Sequence, residues 1–468
     1  MPLLSLSLTR NLVARDDEID TRTLSSIVLT CLFTLLTCVW CCIRPDIPSP
    51  HDSRRRILVT KLNITFWVLV SPEMVAFWSF RQWFEAGRIA EEFKSMEHLL
   101  LRYHFLICLI SDRGWTRRHA LFLLMGGFIL CHNGQPVQTL SIPLFRRLLQ
   151  RGAIDFPSIT ISEIKERGSL HPTFAFLVIL QAIWFTTQCL SRLITGLVIT
   201  QLEVMTLVLI LMNGLILIFT YQKPLDARYP VQINTKFELE RLVVEPTPPR
   251  TIKEDFRREK ETEHIVKRIF LVERRPQGQR LITFGRVICH ILDFTFIWPI
   301  RSVYRDFTRL AINMESNEIP RGTLKVPLFY VPDSSDMLLF VLPAVILLGM
   351  GVGVVSCLFW SWGHFPSDTA RLVWRINSVT TAAFCALFLL LMTIVGLTQL
   401  WSQVTLNGIV ESIADFFVYV GVFVFLIAFI PYVVARVILL LESFVCLKSL
   451  PNEAFEIVPW TNYIPHFS

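Results

Sequence analysis

Two glutamates stand where an ionisable side chain is expensive. Glu73 follows Pro72 near the middle of the apolar stretch Leu62 to Phe80, and Glu203 lies within Gly196 to Tyr221. A charged carboxylate at the centre of a membrane helix costs about 3 kcal/mol or more, so by default it marks a working site. Pro72 removes a backbone donor and its ring crowds the preceding turn, so a helix opens there and frees carbonyl groups. A broken helix carrying a carboxylate can bind a cation or relay a proton. The structural alternative ties each Glu to Gln188, Gln201 or Asn213, or keeps it protonated, as glue between helices.

His119 is the third candidate. It belongs to a cluster of Asp112, Trp115, Thr116, Arg118 and His119, followed by Met125-Gly126-Gly127-Phe128, His132 and Asn133. An imidazole serves as acid, base or ligand near neutral pH; the simpler reading is an interfacial histidine at a helix start. Paired glycines allow close backbone approach or re-entry into a bilayer. Other chemistries lack their residues. The ten histidines form neither haem-ligand pairs nor di-iron clusters, and there is no HExxH, no GxSxG, no Gly-rich phosphate loop and no aspartate-rich diphosphate motif. No catalytic residue, metal ligand or cofactor is therefore assigned. Cys38-Val39-Trp40-Cys41 has CxxC spacing but sits in an apolar span, where cysteines pack as small hydrophobes. Cys41 and Cys42 close that span, where S-palmitoylation is the functional reading and packing the simpler one.

The elements that hold these residues are read from composition. Hydrophobic residues make up 53% of the 468 and charged residues 18%, below the ~25% of soluble chains, and the mean hydropathy is +0.51. Long uncharged blocks alternate with charged ones, which is how a chain crossing ~30 Å of hydrocarbon reads. The expected fold is an all-α polytopic membrane bundle of about seven spans with two long polar loop regions. The spans are Leu24 to Ile43, Leu62 to Phe80, Phe174 to Leu190, Gly196 to Tyr221, Met337 to Trp362, Val379 to Trp401 and Phe416 to Ala435. The third and fourth, joined through Arg192, form a helical hairpin. In domain terms, residues 1–80 hold the first pair of spans and 81–173 a loop region with interfacial or re-entrant segments at Leu99 to Ile110 and Ala120 to Cys131. Residues 174–221 are the hairpin, 222–336 a long charged loop region, 337–435 three spans, and 436–468 an interfacial helix and tail. Leu281 to Pro299, interrupted by Arg286, His290 and Asp293, reads as a surface amphipathic helix. Lys236 to Arg280 mixes both signs of charge with prolines, as solvated linkers do.

Orientation does not follow from charge alone. Seven spans put both long regions on one side with most of the Lys and Arg, but the dense short segment Arg44 to Lys61, with Arg54, Arg55 and Arg56, on the other. The positive-inside rule weights short segments, so the two countings disagree. The net charge of +7 suits loops near anionic lipid, and no nucleic-acid motif is present.

Several short segments in order resemble a large uncharacterised family of fungal polytopic membrane proteins. They are Leu24 to Ile43 running into Pro45-Asp46-Ile47-Pro48, then Pro72-Glu73, then Trp115-Thr116 with His119 and Met125-Gly126-Gly127-Phe128. Trp184-Phe185 with Gln188 and Arg192, Leu202-Glu203, and Lys223-Pro224-Leu225-Asp226 follow. Phe365-Pro366-Ser367 with Trp374-Arg375, and Leu450-Pro451 with Trp460, complete the series. The resemblance implies a membrane location and fungal origin, and no activity.

The expected function is non-enzymatic: an integral membrane protein transporting or sensing a small hydrophobic or cationic ligand, with Glu73 and Glu203 as polar centre. One alternative is a membrane-embedded enzyme on a lipid or terpenoid, using Glu73 or His119. Another is a scaffold recruiting partners through charged loops.

Overall fold

The computed structural model describes residues 21–101, 115–132, 134–168, 172–235, 319, 322–327, 330–331, 347, 349–360, 363–405 and 408–458. The segments Lys236 to Arg280 and Leu281 to Pro299, most of Leu99 to Ile110 and the first part of Met337 to Trp362 lie outside them. The chain divides into two units. One comprises Met1–Gly127, Ser158–Pro230 and Tyr330–Ser468, the other Phe128–Pro157 and Val231–Phe329.

The first unit is helical. α1 spans Leu24–Cys42, α2 Arg54–Val70, α3 Pro72–Leu101 and α4 Arg117–Leu124. Among the described residues, five helices are long and apolar enough to cross a membrane: α1, α7 (Pro172–Ile194), α8 (Gln201–Thr220), and parts of α10 (Asp368–Thr405) and α11 (Gly408–Val445). α2 and α3 pass the same test only as a pair, bent by 114° at Ser71. α6 (Ile161–Glu166) precedes α7, and the short apolar helix α9 (Gly349–Trp360) precedes α10.

α1, α7 and α8 pack together with Leu447 through Ile27, Cys31, Cys38, Val178, Phe185, Cys189, Leu202 and Ile210. Cysteines recur at this seam because small side chains let helices approach in a medium with no hydrophobic drive between them. Cys41 packs in it too, and Cys42, 4% exposed, donates from Sγ to Asn213 O at 3.1 Å. A polar tie crosses α7 and α1, with Gln181 Nε2 donating to Thr34 Oγ1 at 3.0 Å. Outward, Phe33, Phe176, Ile194, Leu211 and Ile218 are exposed. Only 17% of the α7 span is buried, so its surface is an apolar one that needs lipid rather than water. α9 meets α10 closely, a Cβ on Gly353 falling 2.8 Å from the Ala382 nitrogen. Trp374 Nε1 donates to the Ser356 carbonyl at 2.9 Å.

The second unit contains a feature the expected all-α fold lacked, a three-stranded sheet ordered β2-β1-β3. β1 (Phe128–His132) pairs antiparallel with β2 (Gln135–Thr139) and parallel with β3 (Val231–Asn234). α5 (Ile142–Gln150) follows, and Phe145 stacks on Phe128 at 6.1 Å. Ala120 to Cys131 is thus no single interfacial segment. α4 ends in a Schellman cap, Gly126 at φ 83° with Gly126 N–H to Leu123 O at 3.0 Å and Gly127 N–H to Phe122 O at 2.7 Å. The paired glycines end a helix, and a strand begins after them.

Two further boundaries differ. α3 runs 30 residues from Pro72, so the region from Arg81 starts as helix rather than loop. α11 continues unbroken past Ala435 to Val445 with Pro431 inside it, so Val437 to Leu447 is no separate surface helix. The apolar count breaks at Arg436, but the helix does not.

Candidate functional site

Three buried polar clusters hold the first unit together. The first lies where α8 starts. Glu203 occupies the third position of that helix in a reciprocal capping box: Thr200 N–H donates to Glu203 Oε2 at 2.9 Å, and Glu203 N–H to Thr200 Oγ1 at 3.2 Å. An acidic residue there satisfies orphan donors and complements the helix dipole. Its carboxylate also pairs with Arg22, whose Nη2 donates to Oε2 at 3.3 Å. Arg22 Nε donates to Ala454 O at 2.6 Å, and Arg192 Nη1 to Glu456 O at 2.6 Å. None of Gln188, Gln201 and Asn213 is what engages Glu203: Gln201 Nε2 donates to His364 O and Asn213 Nδ2 to Leu209 O.

The second cluster lies at the opposite end of α8. Lys223 is buried, donating to Asp46 Oδ1 at 3.2 Å and Gln82 Oε1 at 2.9 Å, with its ammonium 4.8 Å from the Trp78 ring centre. Burial lowers the lysine below its ordinary value of 10.5, and Asp46 pulls it back up. Three residues on, Asp226 adopts φ 58° and pairs with Lys61 at 2.5 Å and Arg228 at 3.2 Å. Burial raises the Asp226 carboxyl, but bonds from Lys61 and Arg228 outweigh it and hold the group below 3.8. The segments Pro45-Asp46-Ile47-Pro48 and Lys223-Pro224-Leu225-Asp226 are therefore partners in space, joined by a buried ion pair.

The third cluster surrounds Glu73. The break at Ser71-Pro72 places Ser71 Oγ 2.9 Å from Glu73 Oε1, to which it donates, and 3.2 Å from Tyr432 Oη. Arg436 of α11 donates from Nε to the Val70 carbonyl at 2.9 Å, and its Nη2 stands 3.6 Å from Glu73 Oε2. Val70 is the last residue of α2, so its carbonyl has no helical donor, and the guanidinium meets it. Glu73 Oε2 is buried and accepts no hydrogen bond among the described residues. A Cβ on Gly349 would lie 2.9 Å from Glu73 Cγ and 3.4 Å from Cys385 Sγ, so α9 and α10 close over the carboxylate. Aromatic rings line the same place: Phe384 stacks on Tyr432 at 4.3 Å, and Trp67 on Phe429 at 5.9 Å. Trp67 Nε1 and both polar atoms of Asn63, one turn earlier, are buried with no hydrogen bond among the described residues.

His119 stands apart from all three. The Thr116 N–H can only donate, and it points at His119 Nδ1 from 3.2 Å, so Nδ1 accepts and Nε2 carries the proton, donated to Ile159 O at 3.0 Å. The histidine caps α4 and spends both ring nitrogens on backbone. Glu73, Glu203 and His119 are thus not brought together. Arg436 belongs to the Glu73 cluster although in sequence it only marks where an apolar run stops.

A family model matches residues 7–243, described as a family of unknown function, DUF8562. The chain belongs to DUF8562. The matched region includes Arg22, Asp46, Glu73, His119, Glu203 and Lys223, whereas Arg436 and Tyr432 lie beyond it. Neither the curated proteins nor the solved structures gave a match. The DUF8562 description carries no activity, so function rests on the side chains themselves. Among the described residues no group of three or more His, Cys, Asp or Glu is placed to hold a metal ion.

Proposed function

We propose that this DUF8562 protein is a non-enzymatic multi-pass membrane protein that transports or senses a small hydrophobic or cationic ligand, with Glu73 and Arg436 as its working polar centre. One observation carries the reading. Glu73 Oε2 is buried without a hydrogen bond among the described residues, 3.6 Å from a guanidinium already committed to a carbonyl. A pair that serves stability alone gains from engaging both oxygens, because the charges must recover their desolvation. Here an acceptor is left over, beside stacked aromatic rings that suit an apolar or cationic body.

Glu203 and His119 take positioning roles in this proposal, since capping and ion pairing use their acceptors and donors. The engagement of both His119 nitrogens also favours transport or sensing over the enzyme reading. The test is native mass spectrometry of the protein purified in mild detergent. The expected result is a defined small molecule, distinct from bulk lipid, bound to the folded chain. A protein carrying bulk lipid alone overturns the proposal.

A further inference from the structure

We infer that α2 and α3 form a re-entrant hairpin, entering the bilayer from the face where Lys223 lies, turning at Ser71-Pro72 near half depth, and leaving by the same face. The two faces are fixed by α1 and α8. Arg22, just before α1, pairs with Glu203 at the start of α8, and Arg44, just after α1, donates to Tyr221 O at the end of α8. These helices therefore run in the same direction, with a Glu203 face and a Lys223 face about 30 Å apart at 1.5 Å per residue.

Both arms of the bent pair are anchored at the Lys223 face. Lys61 in α2 binds Asp226, and Gln82 in α3 accepts from Lys223. A straight helix would hold Lys61 and Gln82 about 31 Å apart. Their partners are three residues apart in sequence, at most about 11 Å in an extended chain. The 114° bend supplies the difference. Lys61 lies ten residues before Ser71 and Gln82 eleven after it, so the apex is about 15 Å of helix from either anchor. α11 gives an independent depth. The chain beyond it reaches the Glu203 face, where Ala454 O accepts from Arg22. Arg436, bonded to Val70 at the apex, lies thirteen residues before Ser449, about 20 Å from that end. The two helix lengths together come to about 35 Å, which spans one bilayer core of about 30 Å with the bent arms tilted.

A hairpin in place of a crossing removes the conflict in the charge pattern. Arg44, Arg54, Arg55, Arg56 and Lys61 now share a face with the α3 segment from Arg81 onward. Short-segment and adjoining-loop charges agree, and the positive-inside rule makes this face cytosolic. Taken with the proposed working centre, on which this last step rests, ligand or proton reaches Glu73 from the cytosolic half.

The test is side-specific labelling with a polyethylene-glycol maleimide in sealed microsomes, whose outer surface is cytosolic. Three exposed positions are used one at a time, His51→Cys, Lys94→Cys and Asn452→Cys, with the unsubstituted protein as background and Arg88→Cys as reserve for Lys94. The hairpin predicts that the first two label without detergent and the third only after permeabilisation. Labelling of His51→Cys and Lys94→Cys from opposite sides overturns the hairpin in favour of a crossing. Labelling of Asn452→Cys alone overturns the cytosolic assignment. None of these outcomes depends on a bound ligand, so a same-side result from a protein carrying bulk lipid alone would sink the proposed function and leave the hairpin standing.

Discussion

Arg436 meets Glu73 across 363 residues of sequence, at a point where the break between α2 and α3 faces α11 shortly after Pro431. Its guanidinium serves the Val70 carbonyl, left open where α2 ends, and the carboxylate that follows Pro72. Removing Arg436 alone should therefore cost more than removing both partners.

Arg436→Gln strands a buried carboxylate and is expected to destabilise the folded protein by about 3 kcal/mol. The double variant Glu73→Gln/Arg436→Gln is expected to recover at least about 1 kcal/mol of that, since neighbours in one network are non-additive. Chemical unfolding in mixed micelles measures it. Additive losses would mean the two side chains are not coupled.

At the Glu203 face, Arg22→Met leaves Glu203 without its counter-ion, and a loss of about 3 kcal/mol is expected. Glu203→Gln keeps a side-chain acceptor for Thr200 and is expected to cost nearer 1 kcal/mol. Thermal unfolding of the two variants side by side reads the order, which reverses if capping rather than the ion pair dominates.

Two glycines of α9 give a matched pair. A Cβ on Gly353 meets Ala382 backbone at 2.8 Å, whereas one on Gly351 meets nothing within 4 Å. Gly353→Ala is expected to push α9 from α10 and lower Tm. Gly351→Ala is expected to be neutral or to gain up to about 1 kcal/mol from helix propensity. Equal effects would contradict the close packing of α9.

The Asp226 carboxyl is held below 3.8 in the folded chain. Its contribution is therefore present above the unfolded value and is lost as pH falls through the folded one. An acid limb of instability is expected below about pH 4, shallower in Asp226→Asn. A pH series of unfolding midpoints checks this, and an unchanged limb in the variant assigns it to other carboxyls.

Apolar runs were legible wherever one apolar helix runs without interruption: α1 and the α7–α8 hairpin stand close to where hydropathy put them. The break at Pro72-Glu73 was legible too, because proline's missing donor is a local property. Its consequence was not, since a bent helix and a straight span have the same composition. Arg436 escaped because an apolar window ends at a charge while a helix need not. Glu203 lies in an apolar run but acts at a helix terminus, a difference of a few residues set by the turn at Gly196 (φ 73°). The three-stranded sheet depends on β1 and β3, about a hundred residues apart, and no periodicity in either reveals the partner.

The most direct test of the central claim sets two readouts on one substitution, Glu73→Gln: the unfolding midpoint, and the small molecule retained in native mass spectrometry. Because Arg436 keeps the Val70 carbonyl, Glu73→Gln is expected to lower Tm far less than Arg436→Gln does, with the bound molecule lost. A Tm fallen as far as that of Arg436→Gln, with the molecule retained, would contradict it and make Glu73 glue between helices.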